Sequence, residues 1–366
     1  MTEVTFRAGA SGYDGDMACA AQPPPVPSRK RKTFVRRTGG NAQRIRQAVQ
    51  WAFLALNVWI GVEFYLFVRY YETGGKTLYV ERPAGVEGWL PIASLMNLKY
   101  LLVTGEAPAM HPAGMFLLLS FAGISVLVRK TFCSWLCPVG TVSEWLWKLG
   151  RHIFRRNWSL PRWYDIPLRS LKYILLGLFL YAVGSMTPAA IRAFLEGPYG
   201  VISDVKMLNF FRHMSAAAAV TVGVLVLLSV FIQNFWCRYL CPYGALMGLV
   251  SRFSPARVRR APDLCIDCAK CARACPSQLA VDKLVTISSV ECTGCLECVT
   301  SCPAEEALFF SLPRQRRFPA WAAAAAIAVI FVAVAGYARL AGYWRTDIPA
   351  SVYFELIPRA SEFRHP

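Results

Sequence analysis

Cys265, Cys268, Cys271 and Cys275, followed by Pro276, are spaced C-x2-C-x2-C-x3-C-P, and Cys292, Cys295, Cys298 and Cys302, followed by Pro303, repeat that spacing. Thiolates in this order suit iron-sulfur cubes: three close sulfurs wrap three corners, and the remote fourth reaches across to a neighbouring cluster. By that exchange Cys265, Cys268, Cys271 and Cys302 are expected to hold one [4Fe-4S] cluster and Cys292, Cys295, Cys298 and Cys275 the other, the two lying close together about a local pseudo-twofold. Zinc sites share the C-x2-C spacing but do not need eight cysteines with two C-P endings in this order. Two adjacent clusters have little catalytic chemistry of their own and make an electron relay.

A second constellation is Cys133 and Cys137 before Pro138, and Cys237 and Cys241 before Pro242. Each pair reads C-x3-C-P, and i,i+4 spacing puts both sulfurs on one helical face. If the pairs converge, four thiols could hold a metal, a third cluster or a reversible disulfide. Small buried cysteines could equally well end membrane helices and dock a neighbouring domain. His111 and His213 each stand at the start of an apolar helix that runs toward a cysteine pair, where they could ligate a b-type haem or contact a quinol, or simply be solvated. Glu63, near Asn57 and Trp59 in an apolar stretch, could accept a quinol proton or mark the membrane interface. Cys19 stands apart from every other cysteine and is assigned no role.

The elements that would position these groups follow from composition. The chain has 366 residues, 55% hydrophobic and 17% charged, with a mean hydropathy of +0.36, which points to membrane insertion. Its net charge of +18 comes from basic blocks beside apolar segments, so it reads as topology and not as nucleic-acid binding. Five segments suffice to cross the bilayer, roughly 47–68, 112–128, 170–187, 215–236 and 319–338. The expected fold is an all-α membrane bundle of about five transmembrane helices in two related helical hairpins, with an inserted small α+β dicluster domain. The expected parts are a disordered basic tail (1–43), a four-helix membrane region with both C-x3-C-P pairs (44–255), a two-cluster domain (256–317), a fifth transmembrane helix (318–341) and a periplasmic tail (342–366). The hairpins are inferred from the repeat of "TFCSWLCPVGT" in "NFWCRYLCPYGA". With the N-terminus inside, about 29 Lys/Arg are cytoplasmic and about 11 periplasmic, and all twelve clustered cysteines fall on the cytoplasmic side. A faint twin-arginine pattern in "SRKRKTFV" is followed too late by too long an apolar run to be a signal.

"CSWLCPVG", "CRYLCPYG" and the double cysteine motif, in that order between apolar segments, resemble the membrane polyferredoxin family, which includes NapH-type quinol dehydrogenase subunits, NosR-type proteins and CcoG-type assembly ferredoxins. The likeness covers about residues 45–340 and lacks both the large periplasmic domain of the NosR pattern and the C-terminal β domain of the CcoG pattern. It implies a multi-pass protein of a bacterial inner membrane, with N-terminus and clusters cytoplasmic and C-terminus periplasmic. It also implies electron exchange between the quinone pool and a partner oxidoreductase or electron carrier. The alternatives are an assembly factor that reduces a metal at the paired cysteines and a redox-sensing regulator. The aromatic, proline-containing segment 342–366 would suit docking on a partner.

Overall fold

A computed structural model describes residue 35 and residues 40–365. The expected basic tail, with Cys19, lies almost wholly outside the described residues.

The chain opens with α1 (Ala42–Glu72), whose 31 residues extend about 46 Å at 1.5 Å per residue, ample for a 30 Å hydrocarbon layer. Its exposed face carries Trp51, Val58, Trp59 and Val62, a surface suited to lipid and not to water. After a 3-10 turn (Ala84–Trp89) come α2 (Pro91–Thr104) and α3 (Pro112–Val128), each begun by a proline, which costs no hydrogen bond at that position. A π turn (Phe132–Leu136) leads to α4 (Pro138–Phe154), then α5 (Arg162–Ser185), α6 (Pro188–Glu196), α7 (Pro198–Val201), α8 (Ser203–Arg212) and α9 (Ala216–Phe231). A second π turn (Trp236–Leu240) precedes α10 (Pro242–Val250).

Each of the five expected apolar segments coincides with a helix, but they are not equivalent spans. α1, Trp163–Ser185 of α5, and a later helix, Ala320–Leu340, are long and apolar enough to cross alone. α8 and α9 reach that length only as a pair bent by 82°. The bend falls where the Ser215 hydroxyl accepts from the Ala218 N–H and starts a fresh helix. α3 is a shorter apolar helix of 17 residues, buried over most of its surface in the middle of the bundle.

The two copies of the repeat exchange partners. α4, from the first, packs on α9 of the second, and α10, from the second, packs on α3 of the first. α1 lies against the first π turn and α5 against the second. The helices expected to pair as hairpins, α1 with α3 and α5 with α9, are not principal packing partners: α3 is covered by α13 and α2, and α9 by α4.

The insert between the helices is small: β1 (Arg257–Arg260), α11 (Lys270–Ala274), β2 (Thr286–Ile287), α12 (Glu297–Ser301) and β3 (Leu308–Ser311). The antiparallel sheet has the order β2-β1-β3, with Val258 opposite Ile287 on one side and Phe310 on the other. These three buried side chains and Val281, Leu296 and Val299 make a core under α11 and α12. α13 (Ala320–Leu340) then returns through the bundle against α3 and α1.

Part of the C-terminal segment packs back on the helices. In α14 (Ala350–Leu356) and just beyond, Tyr353, Leu356, Ile357 and Ala360 are buried against Phe64, Phe67 and Val68 of α1 and Ile202 and Val205 near α8.

α4 meets α9 at Gly150, where a Cβ would collide with the carbonyl oxygen of Val230. Gly150→Ala should therefore destabilise by about 1–3 kcal/mol, the usual cost of overpacking. Gly177→Ala on α5, where the new methyl meets nothing within 4 Å, should gain about 0.5–1 kcal/mol from helix propensity. Thermal unfolding in detergent compares them, and equal midpoints would contradict the close α4–α9 approach.

Candidate functional site

The two cysteine loops of the insert adopt the same backbone. Ala269 before α11 and Leu296 before α12 both sit in the left-handed region, at φ 55° and 60°. That turn carries Cys271 and Cys298 into their short helices, while Cys275 and Cys302 stand at the helix ends in extended conformation, φ −73° and −71°. The fourth cysteine of each motif is thereby directed out of its own loop. Burial pushes the Cys271 thiol up to about 11, helped by Cys302 and Cys265. Burial likewise raises Cys275, with Cys292 adding to it, and pushes Cys295 up to about 12, with Cys275 adding to it. Cys298 is raised by burial and then by Cys295, Cys292 and Cys275. Among the thiols, Cys271 is thus pushed most by Cys302 and Cys265, and Cys298 by Cys295, Cys292 and Cys275, with Cys271 also acting on Cys298.

The second loop is fastened to the helical region. Ser134 Oγ donates to the Thr293 carbonyl at 2.6 Å, Trp135 Nε1 to the Gly294 carbonyl at 3.1 Å and Gln43 Nε2 to the Cys295 carbonyl at 2.9 Å. Gly294 has φ 63°, and a side chain there would also press on the Thr131 methyl at 2.8 Å. Arg46, fully buried on α1, donates to both Glu144 oxygens at 2.6 Å, to Glu297 at 3.2 Å and to the Ser134 carbonyl at 3.1 Å. Burial would raise the Glu144 carboxyl, but Arg46 and then Lys148 hold it at about 2. Glu291 accepts from Lys172 at 2.6 Å and Tyr173 at 2.8 Å. Against burial, Lys130 and Lys172 hold Glu291 at about 2.

The C-x3-C-P pairs occupy the two π turns, not α-helical ones. The Cys137 N–H donates to the Phe132 carbonyl at 2.9 Å and the Cys241 N–H to the Trp236 carbonyl at 3.0 Å, the i→i+5 pattern of a widened turn found often at functional sites. Gly140 is required after the first pair, since a Cβ there would strike the Cys133 carbonyl oxygen. All four thiols line one cavity of about 1250 Å³, together with Lys130, Glu291, Cys295 and Glu297. Burial pushes Cys133 up to about 11 and Cys137 to about 12, and raises Cys237 and Cys241. The first three of these are also pushed by other members of the quartet. The same cavity is lined farther out by Asn57, Trp59 and Glu63 of α1, Gly336 and Arg339 of α13, and Trp89 and Trp344.

His111 and His213 are not brought into this cavity. His111 is buried at the start of α3, with Nε2 2.9 Å from the Gly200 carbonyl and Nδ1 3.1 Å from Arg82. His213 is exposed at the end of α8. His111 belongs to an outer network missed in the sequence: Arg82 bridges Glu87 at 2.7 Å and Asp204 at 2.9 Å, and Thr346 of the C-terminal segment donates to Glu87 at 2.9 Å. Arg46 and Lys130 were also missed, although a cation beside an apolar run is a visible signal in each case.

Burial would raise Glu87, but Arg82 and then His111 hold it at about 2. Its stabilising contribution is thus complete above the ordinary carboxylate value of about 4.3 and fades as pH falls toward 2. Glu87→Gln should cost about 3–5 kcal/mol at pH 7, the penalty for breaking a buried ion pair. The variant should also lose less stability than the parent between pH 5 and pH 3. Melting in detergent, with protease release of the C-terminal segment as a local readout, checks both. A parallel pH dependence in the two proteins would remove Glu87 as the cause.

Residues 110–161 and 215–260 match a family model described as a 4Fe-4S binding domain, and residues 257–303 match one described as a 4Fe-4S dicluster domain. YccM of Escherichia coli (strain K12), named as a candidate electron transport protein, is 50% identical over 331 residues, 89% of this chain and 93% of its own length. Protein NirI of Paracoccus denitrificans is 29% identical over 215 residues, 57% of this chain and 30% of its own. Regulatory protein NosR of Pseudomonas aeruginosa is 32% identical over 187 residues, 49% of this chain and 24% of its own. No solved structure matches the chain.

Proposed function

Because this chain belongs to the membrane polyferredoxin-like family, we propose that it is a membrane electron-transport protein linking the quinone pool to a partner oxidoreductase. Cys265, Cys268, Cys271 and Cys302 would hold one [4Fe-4S] cluster and Cys292, Cys295, Cys298 and Cys275 the other, a division supported by the mutual influence of these thiols. Such clusters supply one-electron carriage, which no side chain here provides. Residues 256–317 would form the cluster domain on the cytoplasmic side of the inner membrane, with the C-terminus periplasmic, as the Lys/Arg distribution favours.

The cavity carries the reading. An outer quinol site lies far from cytoplasmic clusters, yet Glu63 and Cys295 line the same space. α1 and α13, two helices with lipid-suited surfaces, both line it, so an amphipathic substrate could enter between them. Trp59, Trp89 and Trp344 offer flat surfaces for a ring, and Asn57 a hydrogen bond. A quinol releases two electrons and two protons; the electrons would pass to the clusters, the Glu63 carboxylate lining the cavity would take one proton, and water the other.

A quinol analogue added anaerobically to the purified protein should reduce the clusters, followed by absorbance and electron paramagnetic resonance. Glu63→Gln should slow that reduction by about 100-fold, the low end of a positioned acid-base group. Gly336→Leu should slow it by filling the cleft, while reduction by dithionite stays unchanged in both. If the parent responds to dithionite and not to quinol, the quinone link fails.

A further inference from the structure

Each of the two segments matched as a 4Fe-4S binding domain holds only two of the four clustered cysteines outside the dicluster motifs, Cys133 and Cys137 in one, Cys237 and Cys241 in the other. Two thiols cannot fill the four corners of a cube. The exchange of α4 and α10 between the repeats removes the difficulty, because it brings both π turns to one cavity wall. No three of these thiols are close enough for a single ion, and the same is true of the eight dicluster cysteines, whose sulfurs must stand apart to span a cube.

A second observation concerns charge. Lys130, directly before the first π turn, is 3% exposed and lines the same cavity. Among the described residues its ammonium has no hydrogen bond and no ion pair. The acid that feels it most, Glu291, is already engaged by Lys172 and Tyr173. Nearby, Arg169 and Arg238 share the single carboxylate of Asp165. With Arg46 and Lys148 set against Glu144 and Glu297 beside them, six cations meet four carboxylates around these thiols, an excess of positive charge that burial makes costly unless an anion is bound.

We infer that Cys133, Cys137, Cys237 and Cys241 together hold one further iron-sulfur cluster, shared across the two halves of the repeat, with Lys130 as its counter-charge. Four thiolates around an iron-sulfur core carry net negative charge, which meets the cation excess. The thiol protons leave when iron binds, as metal ligation requires. Cys295 lines the same cavity, so the shared centre adjoins the second dicluster set. Its use in a relay rests on the function proposed above, whereas its existence does not.

The test is the iron and acid-labile sulfide content of the full-length protein purified anaerobically, with a potentiometric titration followed by electron paramagnetic resonance. Two 4Fe-4S clusters account for about eight irons, so a shared [2Fe-2S] or [4Fe-4S] centre should bring the count to about ten or twelve. Cys133→Ser with Cys237→Ser should return it to about eight and remove one signal, leaving the two dicluster signals in place. Lys130→Gln should keep the iron and move only the extra signal to lower potential, because a nearby cation favours the reduced form, and Lys130→Arg should restore it. A parent protein with eight irons, or with zinc or copper at the quartet, overturns the inference without requiring any variant to fold. Excess iron with no response to quinol would sink the quinone link and leave the shared centre standing.

Discussion

The buried guanidinium of Arg46 ties together the parts that must not move. It is fully buried, and it binds α4 through Glu144, the first π turn through the Ser134 carbonyl and α12 through Glu297. Glu297 lies between Cys295 and Cys298, and Ser134 between Cys133 and Cys137. One side chain on a membrane-spanning helix thus sets the relation between the cysteine pair and the cluster loop. Withdrawal of any one partner would leave a charge in a region without water to receive it, which is why such a node resists displacement more strongly than apolar packing would. Gln50 reinforces it, donating to the same carbonyl at 2.9 Å and the same carboxylate at 3.1 Å.

The repeat explains why the membrane region has a centre at all. Two copies of helix, π turn, helix would each leave an apolar face bare, and mutual exchange covers both faces with one packing scheme. The C-terminal part of the chain then breaks the symmetry. α13 returns to cover α3, which becomes an interior helix, whereas α9 keeps Val220, Val224 and Leu227 exposed. The outer cap is similarly asymmetric, since the C-terminal segment folds over α1 and closes on Glu87 through Thr346. The cavity is accordingly lined by α1 and α13, a helix from each end of the chain.

Much of this was legible in the sequence where the signal is local. Cysteine spacing within loops depends on a dozen residues, and the two loops share a backbone, with Cys275 and Cys302 at matching angles. Apolar runs mark the helices, though not the 82° break before α9, which depends on a serine cap in a polar interval. The hairpin pairing failed because partner choice is decided by long-range packing, to which a repeat is indifferent. His111 looked like a ligand from its place in the repeat, but its ring nitrogens face Gly200 and Arg82, residues far apart in the chain. The cavity has no sequence signature, since its lining runs from Phe53 to Arg345.

Cys271, Cys275 and Cys298 are buried, while Cys265 is half-buried in a loop beside the exposed Leu264 and Asp267. A group exchanging electrons with a lipid-borne substrate gains from exclusion of water, because buried dipoles and charges need little rearrangement when its charge changes. A group exchanging electrons with a soluble partner must come near the surface. β1 supplies the link between these demands, since it begins by Ser254, whose hydroxyl donates to the Leu127 carbonyl at the end of α3, and runs outward toward Cys265. The same four-residue strand that centres the sheet therefore fixes how far the exposed cysteine loop stands from the membrane helices, and hydrogen bonds from Ser134, Trp135 and Gln43 hold the buried loop at the other end.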